Sequence, residues 1–204
     1  HYKEHVRAGR YKIHAGMSNF AIAKLLRSGR QIPVRLVINK LRTKADFIQL
    51  VSNNLEADSG SISAVLNDPV YLRRFGFDTS NVMCFIIPDT YEFYWNTDAE
   101  KVFSKLEKTY NIFSDSTRRA EAIALGLSPN KVMILASIVE EETNKNDEKP
   151  MIASVYLNRL RTGMRLSADP TVKFALNDFT LLRIYRKYTE FGSPYNTYLH
   201  RGLP

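Results

Sequence analysis

Apolar positions along the chain follow two periods, one near two residues and one near 3.6, and the changes between them divide it into elements. The first segment predicts strand, turn and helix. Tyr11-Lys12-Ile13 precedes Gly16, and Ser18 stands as N-cap to a helix with Phe20, Ile22, Leu25 and Leu26 that closes near Gly29. The same order then returns: Leu36-Val37-Ile38 aligns with Tyr11-Lys12-Ile13, Thr43 with Ser18, and Phe47, Ile48, Leu50 and Val51 with Ile22, Ala23, Leu25 and Leu26. Two copies are too few for a solenoid and suit a small α+β module in which each helix covers a short sheet. A chance likeness of two amphipathic units is the alternative.

Two short helices are predicted from Ser61 to Phe75, the second opened by Asp68-Pro69 in the N-cap and first helical positions. The apolar run Val82 to Ile87, ended by Pro88, predicts a strand, and Asp89-Thr90-Tyr91 leads into the aromatic cluster Phe93, Tyr94 and Trp95. Downstream the pattern is helical. Asp98 to Tyr110 carries Val102, Phe103, Leu106 and Tyr110 at helical spacing, Ser116 to Leu125 ends at Gly126, and Ser128-Pro129 opens a third helix. A fourth, about Lys149 to Thr162, presents Ile152, Val155, Tyr156 and Leu160 on one face and closes at Gly163, after which Asp169 is a good N-cap and Pro170 a good first helical residue.

Composition narrows the class without choosing a function. With 44% apolar and 25% charged residues over 204 positions the chain is an ordinary globular protein able to bury one or two modest cores. Its 29 Lys and Arg against 21 Asp and Glu leave a net charge of +8, which suits a polyanionic partner such as nucleic acid, an anionic lipid surface or cell-wall polymer. The basic residues are scattered, however, through Arg7, Arg10, Lys40, Arg42, Arg73, Arg74, Arg118, Arg119, Arg159 and Arg161. That spread argues against a nucleic-acid arm. Cys84 is the single cysteine and lies inside an apolar run, so no intrachain disulfide can form and a buried thiol is expected. No apolar stretch reaches the ~20 residues needed to span a bilayer.

The chemistry concentrates in the third helix. Val132 to Ala136 with Ile138 and Val139 leave it apolar on nearly every side, the mark of a buried helix, before Glu140-Glu141-Glu142. At about 100° per residue Glu140 falls beside Met133, Ala136 and Ser137, and Glu142 beside Leu135, Ile138 and Val139. One or both carboxyls are candidates for partial burial, which disfavours the carboxylate and moves a glutamate towards the range of a general acid. The alternative is a helix that simply ends in solvated acids. Asp169 is explained as a cap without catalysis.

Leu135-Ala136-Ser137-Ile138-Val139-Glu140-Glu141-Glu142-Thr143 resembles the acid-bearing helix of the endolytic murein transglycosylases, also described as the YceG-like family. Ala153 to Leu160, Met164-Arg165-Leu166 with Asp169-Pro170-Thr171-Val172, and Ser193-Pro194-Tyr195-Asn196-Thr197-Tyr198 with Gly202-Leu203-Pro204 resemble later motifs of the family in order. Ala8-Gly9-Arg10-Tyr11 and Pro88-Asp89-Thr90-Tyr91 match upstream ones, so the resemblance covers essentially the whole chain. Ser167 stands where many relatives have glutamine, Met83-Cys84 where Glu-Gly is typical, and Asn39-Lys40-Leu41-Arg42 where a glycine-containing turn is usual.

The resemblance implies an α+β fold: a small LysM-like module over 1–78, incomplete at its N-terminus, then a mainly helical catalytic domain with a few short strands over 79–204, its C-terminal end truncated. It implies a peptidoglycan lytic transglycosylase in which Glu140 is the catalytic acid and base, with Glu142, Asn158, Asp169, Tyr195 and Asn196 supporting it or binding sugar. No cofactor or metal is expected, and His1, His5, His14 and His200 form no ligand cluster in the sequence. The expected partners are glycan strands, cell-wall synthases and the inner membrane, reached through a single-pass anchor outside this fragment, with the catalytic part extracytoplasmic; nucleic acid is not expected. A noncatalytic peptidoglycan-binding or scaffold protein is the competing reading.

Overall fold

A two-stranded antiparallel ribbon organises the first part of the chain. In the computed structural model, which describes residues 7–204, β1 (Val34–Ile38) pairs with β2 (Asp89–Phe93) in a register that sets Val34 opposite Phe93, Leu36 opposite Tyr91 and Ile38 opposite Asp89. Period-two alternation sends Val34, Leu36, Ile38, Tyr91 and Phe93 inward. Helix α2 (Lys44–Asn54) packs against β1, with Phe47 and Val51 fully buried. It begins at a reciprocal capping box: Asp46 N donates to Thr43 Oγ1 at 3.1 Å, and Thr43 N donates to Asp46 Oδ2 at 2.9 Å.

Helices α3 (Ser59–Asn67) and α4 (Pro69–Arg73) follow as the pattern predicts, and Asp68 Oδ1 caps α4 by accepting from Val70 N and Tyr71 N at 2.8 and 3.0 Å. Helix α5 (Ala99–Phe113) closes this core with Val102, Phe103 and Leu106. Edge-on aromatic contacts lock it: the Phe103 ring lies 5.8 Å from Phe47 and 6.3 Å from Tyr71, and Tyr110 lies 5.1 Å from Phe77. The chain divides after Phe113 into two compact units. The boundary expected between 78 and 79 falls inside the first of them, because β2 is the partner of β1.

Three expectations fail here for physical reasons. Helix α1 (Asn19–Ser28) forms with Ser18 and Gly29 as its caps, but Tyr11-Lys12-Ile13 is not a strand. Before it Arg10 O accepts from Ile32 N at 2.8 Å, after it His14 O accepts from Met17 N at 3.3 Å, and Ile13 is exposed. Helix α1 buries none of its residues completely, with Phe20 79% exposed, so only the second of the two similar segments builds core. The run Val82 to Ile87 is not a strand either. Residues Val82–Phe85 form a 3₁₀ turn in which Cys84 N donates to Asn81 O at 2.9 Å, so Val82 and Phe85, three apart, both face the core. Cys84 is half-buried, and desolvation pushes its thiol up to about 11.

The second unit, Ser114–Pro204, is helical: α6 (Ser116–Ala124), α7 (Pro129–Glu142), α8 (Lys149–Arg161), α9 (Asp169–Leu176) and α10 (Arg186–Thr189). Helix α7 is central, packed on α6, α8 and α9. Leu135, Ile138 and Val139 meet Tyr156, Leu166 and Ala168 in its core. Gly163, at a φ of 67° that an L side chain rarely adopts, ends α8 and turns the chain back towards α7. No single helix among the described residues is long and apolar enough to cross a membrane.

Candidate active site

The three glutamates that end α7 do not share an environment. The helix is buried on one stripe rather than all round: Leu135, Ile138 and Val139 are covered, while Ala136 and Ser137 are exposed. Glu140 lies on the open side. Its side chain is 57% exposed and its Oε2 is 2.5 Å from Lys149 Nζ at the start of α8, so the expected burial of Glu140 is not found. That pair bridges the turn between α7 and α8, and an ion pair so open to water contributes at most about 1 kcal/mol.

Glu142 lies on the same side of α7 as the buried Leu135, Ile138 and Val139, but at the end of the helix, where the residue as a whole is exposed. Its carboxyl is nonetheless raised from its ordinary value, first by desolvation and then by the Asp169 carboxylate on α9. The Tyr156 hydroxyl, offered to the Glu142 carboxyl from α8, and the cationic Lys173 and Arg159 act in the opposite direction without cancelling the rise. Tyr156 is itself buried, and its pKa is raised by that burial and by the Glu142 charge. The Arg159 guanidinium lies 5.8 Å from the Tyr156 ring centre and donates to Leu166 O, tying α8 to the turn before α9.

That turn carries the other carboxylate. Ser167 adopts a left-handed backbone with φ 48°, and Thr197 holds it and the residue that follows. Ser167 N donates to Thr197 O at 3.1 Å, Ala168 N donates to Thr197 Oγ1 at 3.0 Å, and the hydroxyls of Thr171 and Thr197 are 2.8 Å apart. Buried and fully engaged, Thr197 binds the C-terminal segment to the start of α9. Tyr198 therefore stands beside Asp169 and donates its hydroxyl to Asp169 Oδ1 at 2.6 Å. Desolvation and this bond push Tyr198 up to about 12. Asp169 is not the N-cap expected of it: Ala168 occupies that position with no side-chain cap, and the Asp169 carboxylate is directed to Tyr198.

The remaining candidates separate by burial. Asn196 is completely buried; its Nδ2 donates to Thr189 O at 3.0 Å and Phe191 O at 2.8 Å, and its Oδ1 accepts from Tyr198 N at 3.0 Å. With each side-chain polar atom engaged it fixes the loop. Tyr195 is partly exposed and packs edge-on against Phe174, ring centres 4.9 Å apart. Asn158 is exposed on α8, its Oδ1 3.4 Å from Arg161 Nη1. Tyr156, Arg159, Lys173 and Tyr198 join the site without having been singled out, although Tyr156, Arg159 and Tyr198 sit inside the motifs that carry the resemblance.

The fold and site define an α+β chain whose helical unit presents one partly desolvated glutamate beside a tethered aspartate. Residues 1–204 match the YceG-like family over their whole length, and the chain belongs to that family. It is 26% identical over 212 residues to an endolytic murein transglycosylase of Bacillus subtilis (strain 168), covering 96% of this chain and 58% of the relative. An endolytic murein transglycosylase of Streptococcus pneumoniae (strain ATCC BAA-255 / R6) is 25% identical over 127 residues, 58% of this chain and 22% of the relative. The crystal structure of a YceG-like protein from Listeria monocytogenes superposes with a TM-score of 0.75 at 28% identity, covering 98% of this chain and 71% of that one. The chain thus spans little more than half the length of the Bacillus relative.

Proposed function

We propose that this chain carries the bond-cleaving chemistry of an endolytic murein transglycosylase, with Glu142 rather than Glu140 as the acid and base. The observation that carries the reading is the contrast within α7: Glu142 holds its proton to higher pH beside Asp169, while Glu140 is spent on an exposed pair with Lys149. Family membership and the names of the Bacillus and Streptococcus relatives support murein glycan as substrate.

Protonated Glu142 donates its proton to the glycosidic oxygen as the bond to the anomeric carbon of N-acetylmuramic acid breaks. The resulting carboxylate then takes the proton of that sugar's C6 hydroxyl, whose oxygen closes on the anomeric carbon to give a 1,6-anhydro ring. Proton and bond counts balance with no water consumed, and Glu142 ends as it began. A single carboxyl thus serves both steps, unlike the paired carboxyls of most glycosidases. Digestion of purified peptidoglycan is expected to yield ends lighter by one water than hydrolytic ends. Reducing ends in the mass spectrum would make the protein a hydrolase, and intact strands bound without cleavage would make it a binder.

The family likeness supports three further parts of the reading. Trimming or terminating nascent strands beside cell-wall synthases is the proposed role. The proposed LysM-like part takes its helix from α2 and must include β2 as well as 1–78, since β1 has β2 as its partner. An anchor in the inner membrane, outside 1–204, would hold the catalytic unit on the extracytoplasmic side. The complete reading frame is expected to encode an apolar segment of about 20 residues upstream of His1, and a frame without one or any export signal would overturn the location.

A further inference from the structure

Cations are spread over the whole chain, but acids are not. From His5 to Ala45 the sequence holds ten Lys and Arg and no Asp or Glu, whereas from Asp46 to Pro204 it holds 18 Lys and Arg against 20 Asp and Glu. The positive excess therefore lies in the segment that folds as α1, its flanking loops and β1. Arg7, Arg10, Lys12, Lys24, Arg27 and Arg30 are all exposed there. The loop before α1 lies against the loop after it: Arg10 O accepts from Ile32 N at 2.8 Å, and Gly9 comes so near Gln31 that a Cβ on it would fall 2.1 Å from the Gln31 Cδ. From there residues 11–17 return to Ser18, the N-cap of α1, so the basic loop and the basic helix form one surface.

Helix α1 turns its two sides to different surroundings. Ile22, Leu25 and Leu26 share one side and are half-buried, while Phe20, Lys24 and Arg27, spaced i, i+4 and i+7, share the other and are exposed. Phe20, at 79%, is the most open aromatic side chain among the described residues, and Ile13 in the adjoining loop is 55% exposed. Cations alone suit any polyanion. A soluble phosphate polymer or a nucleic-acid duplex, however, gives Phe20 and Ile13 no apolar phase to enter, whereas a bilayer surface supplies phosphates and an acyl boundary together.

We infer that this face is a docking surface for a bilayer rich in anionic phospholipid: Phe20 and Ile13 enter its apolar boundary while Lys24, Arg27 and the loop cations pair with its phosphates. The acid-free sequence matters as much as the cations, because no carboxylate within the segment offsets their attraction to the lipid. The surface belongs to the first unit alone. It is independent of which glutamate is the acid, and it acts whether or not a spanning segment holds the same protein.

The test mixes the 204-residue chain with sedimenting vesicles of phosphatidylglycerol and phosphatidylcholine, or of phosphatidylcholine alone. At about 0.1 M salt, binding to the mixed vesicles is expected to exceed binding to phosphatidylcholine by at least about tenfold, and to fall steeply as salt approaches about 1 M. Lys24→Glu combined with Arg27→Glu should weaken it by at least about tenfold, and Phe20→Ala by about three- to tenfold. These side chains are exposed, so the variants should fold as the parent does. Phe20→Trp gives a second readout: beyond the signal of Trp95, its emission should shift to the blue on mixed vesicles and be quenched by brominated acyl chains. Cleavage of soluble glycan strands should be unchanged in every variant, which keeps this result separate from the fate of Glu142. Equal partitioning onto phosphatidylcholine, or vesicle binding unmoved by the charge reversals, overturns the inference. So does an unshifted Phe20→Trp emission on vesicles that the protein does bind. Single-stranded DNA, whose bases can stack on an exposed ring, is the competing ligand; binding to it as tight as to vesicles, and weakened equally by Phe20→Ala, would overturn the lipid assignment in favour of nucleic acid.

Discussion

Glu142→Gln is expected to fold and to lose at least about two orders of magnitude of anhydro-ended product, within the ~10²- to 10⁴-fold that general acid–base catalysis contributes. Glutamine keeps the volume and the hydrogen-bonding reach towards Tyr156, but it has no proton to give to a leaving oxygen and no carboxylate to recover one. Binding of uncleaved strands should survive. Glu140→Gln is the matched control: it dissolves an exposed pair with Lys149 and should retain activity within a few-fold of the parent. Digestion of the same peptidoglycan by the two folded variants, read by mass spectrometry, separates them. An inactive Glu140→Gln beside an active Glu142→Gln would return the acid to the position that the resemblance implies.

The two glutamates differ by two residues, and the reason the sequence does not choose between them is physical. Periodicity alone sets Glu142 on the Leu135, Ile138 and Val139 stripe and Glu140 beside Ala136 and Ser137. A helix apolar on almost every side does not say which stripe meets its neighbours. That choice is made by Tyr156 of α8 and by Ala168 just before α9, which cover the first stripe and leave the second open. Asp169 poses the same difficulty in another form. Its place before Pro170 is a sound capping signal, and what overrides it is Tyr198, 29 residues further on.

Local signals were legible where the chain's own neighbours decide the outcome. Ser18, Thr43, Asp68 and Ser128 each cap the helix they were expected to open, because the orphan N–H groups they satisfy lie within three residues. Strands were read less well, since a strand exists only with a partner. Val82 to Ile87 has the composition of a buried strand but turns as a 3₁₀ helix, while the mixed Asp89–Phe93 segment pairs because its alternation matches that of β1. Tyr11-Lys12-Ile13 resembles β1 in sequence and pairs with no strand among the described residues.

Phe103→Ala is expected to cost the first unit about 3–5 kcal/mol, the range for emptying a large aromatic site in a packed core. Phe103 is fully buried on α5 between Val102 and Leu106, and its ring meets Phe47 of α2 at 71° and Tyr71 of α4 at 85°. Truncation removes both edge-on contacts and leaves a cavity under the helix that backs β1, so neighbouring rings can collapse into it only by giving up their own packing. Trp95, the single tryptophan, follows β2 in the same unit, and its carbonyl accepts from Glu56 N at 2.7 Å. Its fluorescence therefore reports this unit directly. In urea the Trp95 transition of Phe103→Ala should move to a much lower midpoint with little change in slope, and Phe103→Leu, which keeps most of the volume, should fall in between. A loss of less than about 1 kcal/mol for the alanine variant would mean that α5 is not seated on Phe47 and Tyr71 as described.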